Sequence, residues 1–151
     1  MFKKVILLLP VVALCCLGSG SMAGAEPGFQ VVISADNPTE SISAKNLSKL
    51  FFKKTVKWDN GKEALPVDLS ADSPARELFS TGVHGRDVSA VKNFWQKQIF
   101  SGRSVPPPEL ASDKEVLEYV GAHPGAIGYI SAGTKDIPAG VKIVAITGYA
   151  D

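Results

Sequence analysis

The sequence predicts an α/β fold, a sheet with helices packed on it, and three observations carry that prediction. Short β-branched or apolar runs, Phe29 to Ser34, Ala126 to Ile130 and Val141 to Ile146, alternate with stretches whose apolar residues recur at helical spacing. The connections between them are brief and built from turn formers. Pro124-Gly125 ends the last helical pattern and leads straight into Ala126-Ile127-Gly128-Tyr129-Ile130, a strand with one glycine where a neighbour must pass close.

The elements follow in chain order. Phe29 to Ser34 is the first strand, stopped by Ala35-Asp36-Asn37-Pro38. Ser43 is the N-cap of a first helix, with Ile42 and Leu47 as its hydrophobic staple and Leu47, Leu50 and Phe51 on one face. Trp58-Asp59-Asn60-Gly61 is a turn, and Leu65 to Leu69 a short strand that Pro66 holds to an edge. Ser73 as N-cap and Pro74 as first residue open a second helix, with Ala75, Leu78, Phe79 and Val83 as its buried stripe. The third helix carries Val88, Val91, Trp95 and Ile99 inward. Pro106 to Pro108 then make a stiff connector, because proline cannot enter a helix interior. Ser112 and Glu115 form the capping box of a fourth helix with Val116, Leu117 and Val120 inside. Val141 to Ile146 is the last strand.

The chain begins with a basic start at Lys3 and Lys4, an apolar run from Val5 to Leu17 and a small-residue site at Ala23-Gly24-Ala25. That pattern predicts an export signal over residues 1–25 and a mature domain over 26–151, in the periplasm. Pro10 and Gly18-Ser19-Gly20 break the run, which argues against a retained membrane anchor. Cys15 and Cys16 both fall inside the signal, so the mature chain has no thiol for a disulfide or a metal. Leu14 ahead of Cys15 argues against a lipid anchor. Removing the signal leaves 14 basic against 15 acidic side chains, a balance without the overall positive charge that nucleic acid or an anionic membrane attracts.

Chemistry has few places to sit. No nucleophile elbow, zinc-helix motif, Walker loop or dinucleotide fingerprint occurs, so no catalytic residue and no enzyme activity is predicted. His84 and His123 have no carboxylate at metal-ligand spacing, and His123 reads as a dipole partner at a helix C-terminus. No metal or cofactor is expected. The best candidate is the turn from Leu69 to Arg76. A helix opening at Ser73 presents free backbone N–H groups and a partial positive charge, Ser70 and Ser73 add hydroxyls, and Arg76 lies one turn in. Asp72 beside it would repel a fully ionised ligand and could accept a proton from a monoprotonated one.

Taken in order, Leu50-Phe51-Phe52-Lys53 with Trp58 and Gly61, Ser73 to Phe79, Phe94-Trp95, Phe100-Ser101-Gly102 and Pro124 to Tyr129 resemble the periplasmic phosphate-binding-protein family, the substrate-binding components of phosphate ABC transporters. The resemblance is to short, single-lobe members and covers nearly all of residues 26–151. It implies one lobe of a type II periplasmic-binding-protein-like fold with a small mixed sheet, and a phosphate-like oxyanion as ligand. It further implies a membrane permease, a second lobe or another protein as partner, a homodimer being one way to complete a cleft. The family segment Arg-x-x-x-Ser-Gly-Thr falls on Leu69 to Ala75, where only Ser73 matches. The resemblance therefore places the ligand at Ser70, Ser73, Ala75 and Arg76, with Arg76 in place of the arginine missing at Leu69. The other reading of the same lobe is a non-transport protein-interaction or sensory module.

Overall fold

The structure, a computed structural model, describes residues 28–149. The expected signal over residues 1–25 lies outside the described residues. Among the described residues, seven strands and four α-helices form in the order β1 (Phe29–Ser34), β2 (Ser41–Ser43), α1 (Ala44–Phe51), β3 (Leu65–Pro66), β4 (Asp68–Leu69), α2 (Pro74–Phe79), α3 (Val88–Phe100), β5 (Glu109–Leu110), α4 (Asp113–Ala122), β6 (Ala126–Ser131) and β7 (Val141–Thr147). A π-helical segment, Ser80–His84, prolongs α2.

The main sheet is mixed, with strand order β2-β7-β1-β6-β3. Its centre, β1, runs antiparallel to both β6 and β7, with Val31 opposite Tyr129 on one side and Val144 on the other. Adjacent residues of a strand face opposite sides. Phe29, Val31 and Tyr129 therefore share one face, where Phe79 stacks on Tyr129 at 3.9 Å between ring centroids and Phe51 closes against both rings. Gly128 and Val32 point to the other face, which α4 covers with Val116 and Val120. Helices thus lie on both sides of the sheet, the α/β arrangement that the sequence predicts.

Gly128 shows why a glycine belongs in β6. A Cβ there would sit 2.7 Å from Val116 Cγ1 and 3.0 Å from Val67 Cγ2. The approaching neighbour is helix α4 with the chain at Val67, so the glycine sets the distance between helix and sheet.

Four expectations are corrected. The run Leu65 to Leu69 is two strands in two sheets: β3 pairs with β6, while β4 pairs with β5 in a separate two-stranded sheet. The switch occurs at one peptide, since Val67 N–H still donates to Ile127 O and Asp68 N–H already donates to Pro108 O, both at 2.9 Å. The proline-rich connector therefore ends in a strand, β5. Ser41–Ser43 is also a strand, parallel to β7, and too short for a periodic signal. Leu78 and Ile99, placed on buried stripes, are exposed. At Leu78 the helix soon widens into the π-helical segment, which rotates the stripe so that Val83 stays buried; at Ile99 the last turn of α3 overhangs the body.

Trp58 is 7% exposed although it begins a turn. Its Nε1 donates to Gly125 O at 2.9 Å, tying the turn to the Pro-Gly corner ahead of β6. Trp95 is buried as expected, in a satellite cluster with Phe52 and Val91.

Candidate functional site

The parallel pairing of β4 with β5 puts Leu69 beside Leu110, and Ser70 N–H donates to Leu110 O at 2.9 Å. Both strands end there, each followed within a few residues by a helix, α2 after β4 and α4 after β5. In α/β proteins the crevice outside the carboxyl ends of strands, facing helix starts, is where ligands bind.

The two helix starts differ. At α4 the Ser112 hydroxyl accepts from Glu115 N–H at 3.2 Å, and Glu115 Oε2 accepts from Ala111 N–H at 2.8 Å, the predicted capping box. Asp113 Oδ2 accepts from Ser131 N–H and from the Thr134 hydroxyl. That helix start is filled by its own carboxylates. At α2 the Ser73 side chain makes no capping bond, whereas Ser43, Asp87 and Ser112 each cap their helices. The α2 start is held instead by Ser73 N–H donating to Ser70 O. Ser70 and Ser73 are half-buried, Ala75 and Arg76 are buried, and Asp72 is exposed.

Arg76 turns inward. Its Nη1 donates to Leu69 O at 2.6 Å and to Glu109 Oε1 at 3.3 Å, and lies 3.6 Å from Asp68 Oδ1. Arg76, only 3% exposed, therefore has its guanidinium bonded to the chain itself and not turned toward the Ser73 hydroxyl as the sequence resemblance implied. Behind it the Tyr129 hydroxyl donates to Asp68 Oδ1 at 2.8 Å and accepts from Leu69 N–H at 3.2 Å. Asp68, Arg76, Glu109 and Tyr129 therefore bind β4, α2, β5 and β6 together through one polar cluster.

The sequence reading missed Asp68, Glu109 and Tyr129 in this cluster. A carboxylate inside the apolar run Leu65 to Leu69 was the available signal, because a buried aspartate requires a partner.

Burial outweighs the nearby Arg76 charge and pushes the Asp68 carboxyl up to about 6. Burial, then the charge on Asp68, also raises the Tyr129 phenol, which keeps its proton and remains a donor. His84 shifts the other way. Its Nδ1 lies 2.8 Å from the Ser48 hydroxyl and its ring among Phe51, Phe52 and Phe79. Burial, followed by the charges of Arg76 and Arg86, lowers it to about 4. His123 caps α4 with Nδ1 2.8 Å from Tyr119 O and its ring stacked on Tyr119.

These two groups predict opposed pH dependences. The folded carboxyl of Asp68 is raised, so its contribution to stability is full below about pH 4 and is lost as pH rises through about 6. The folded imidazole of His84 is depressed, so its contribution is full above about pH 6.5 and is lost as pH falls through about 4. Each spans roughly two pH units, or on the order of 3 kcal/mol, and they offset one another in the wild type. Thermal melting between these limits is expected to be nearly flat for the wild type, to rise on acidification for His84→Phe, and to fall for Asp68→Asn. Three superimposable profiles would refute the assignment.

No family profile and no curated protein matches this sequence. Several solved structures share this fold over part of their length. The chain is similar to a candidate phosphate ABC transporter substrate-binding protein with bound phosphate from Clostridium perfringens, with a TM-score of 0.62 and 18% identity, over 79% of this chain and 44% of that one. It is likewise similar to an ABC-type phosphate transport receptor from Vibrio cholerae, with a TM-score of 0.61 and 20% identity, over 79% and 46%. A third is a possible phosphate binding protein from Planctomyces limnophilus, with a TM-score of 0.60 and 18% identity, over 80% and 41%. The structural likeness agrees with the family resemblance in the sequence and speaks for the fold. The chain spans less than half the length of these structures. Among the described residues, no helix is long and apolar enough to cross a membrane, and no three His, Cys, Asp or Glu side chains group to hold a metal.

Proposed function

We propose that this chain is an exported, periplasmic oxyanion-binding lobe, related in role to the substrate-binding component of a phosphate ABC transporter, with an incomplete anion site. The observation that carries the reading is the start of α2, where the Ser73 side chain makes no capping bond to the first-turn amides of Ala75 and Arg76. Ser70 stands next to them, and the buried Arg76 charge lies behind the turn. A phosphate would take its hydrogen bonds from the two hydroxyls and the first-turn amides, the Arg76 guanidinium being committed to Leu69 O and Glu109, and a permease, a second lobe or a second copy would close over it. No metal or redox cofactor enters this reading, and none of the site residues pairs a nucleophile with a base.

Relative to the family segment, Leu69, Pro74 and Ala75 remove a charged donor, a backbone N–H and a hydroxyl. Each such donor to an anion is worth on the order of 1.5–3 kcal/mol, so affinity falls by several powers of ten from a complete site. Calorimetric titration with inorganic phosphate is expected to show binding near the millimolar range that weakens about tenfold in Ser73→Ala, the equivalent of one hydrogen bond to a charged group. No heat, and no rise in melting temperature at high phosphate, would remove the reading. The second reading, a protein-interaction or sensory module that keeps the lobe, is favoured by the nearly complete exposure of Phe100. A stable complex indifferent to phosphate would select it.

A further inference from the structure

The net charge of the chain averages over one surface that is neither neutral nor polar. From Val88 to Pro108 there are three cations, Lys92, Lys97 and Arg103, and no Asp or Glu. All three cations are exposed. The same stretch exposes Ile99 and Val105 over more than half of their surface and Phe100 over 94%. Helix α3 is attached to the body through Val91 and Trp95 on Phe52 and through the π-helical segment, so its last turn projects outward.

That projection is built and held. Gly102 takes the left-handed conformation, φ +65°, and its N–H donates to Ile99 O while Arg103 N–H donates to Gln98 O. The Ser101 hydroxyl donates back to Lys97 O and Gln98 O. This is a closed helix C-terminus, with glycine where a side chain would be strained. The three prolines that follow keep the returning chain extended. The backbone that carries Phe100 is therefore fixed at the tip before anything binds.

From this juxtaposition of protruding apolar side chains with Lys97 and Arg103 we propose that the α3 tip seats itself in the headgroup layer of an anionic lipid surface, with Phe100, Ile99 and Val105 entering the interface and Lys97 and Arg103 on the phosphates. Charge complementarity selects this occupant. A second copy meeting the same face would bring Lys92, Lys97 and Arg103 against themselves. Reversible interfacial binding of this kind rests on buried apolar area together with basic residues. The proposal is independent of phosphate binding at α2.

The test uses the full chain carrying Phe100→Trp, which places an indole at the tip, far more exposed than Trp58 or Trp95. On vesicles of phosphatidylglycerol and phosphatidylcholine the emission is expected to shift to the blue and to be quenched by brominated acyl chains, with no change on phosphatidylcholine alone. Adding Lys97→Glu and Arg103→Glu is expected to weaken this response at least roughly tenfold, and salt to weaken it further. An unchanged response after charge reversal would overturn the proposal, because apolar residues elsewhere would then be holding the chain. Absence of any shift on anionic vesicles would overturn it in favour of an acidic protein partner. A blue-shifted tip that depends on protein concentration without lipid would overturn it in favour of a second copy.

Discussion

Arg76→Met is expected to destabilise the fold by about 3–5 kcal/mol near neutral pH, the cost of leaving a buried carboxylate without its partner. A domain of this size has a total stability on the order of 5–15 kcal/mol, so the urea midpoint moves by a large fraction of its value. Leu69 O loses a charged donor and Asp68 its ion-pair partner, and Asp68 cannot turn to water because it is buried. The pH dependence separates this account from simple loss of packing. Arg76 is what holds the Asp68 carboxyl down against burial, so in the variant it takes up a proton even more readily than at about 6. Below about pH 5 it is neutral, the buried charge is gone, and the penalty shrinks. Equal penalties in urea melts at neutral and acid pH would show that charge burial is not the cause.

Gly128→Ala is expected to destabilise by about 1–3 kcal/mol, and Gly128→Val to prevent folding at ambient temperature. Two effects compete in the alanine variant. Replacing glycine restricts the unfolded chain and favours folding by about 0.4–1 kcal/mol. Against it stands a Cβ at 2.7 Å from Val116 Cγ1 and 3.0 Å from Val67 Cγ2, and neither is the free end of a flexible side chain. Both are β-branched; Val116 sits in α4, where one rotamer dominates, and each is fully buried. The steric term therefore wins, and α4 must lift from the sheet. Calorimetric melting decides it: an alanine variant as stable as the wild type would mean that the helix can shift without loss.

The sequence and the tertiary structure divide the account along a physical line. Elements encoded by local chemistry were legible: the β-branched run at Phe29, the Ser43, Ser73 and Ser112 helix starts, the Pro-Gly corner and the strand after it all stand where the residues put them. Local rules failed where the partner of a residue lies far away in sequence. Leu65 to Leu69 is one apolar run, yet the sheet it joins changes at Asp68 because Pro108 offers the next carbonyl.

The candidate site shows the same division. Sequence alone put Ser70, Ser73, Ala75 and Arg76 around one helix start, and the family pattern marked it as depleted. Which way Arg76 points depends on Asp68, Glu109 and Tyr129, brought together from three strands. A side chain long enough to reach either solvent or core goes where its charge is best satisfied, and no window of neighbouring residues contains that information. The chain by itself thus determined an α/β fold of strands and helices in this order, and a helix start at Ser73. Only the tertiary structure decided that the nearby arginine serves the core, and that α3 carries an exposed phenylalanine outward among cations, because burial is a property of what the rest of the chain covers.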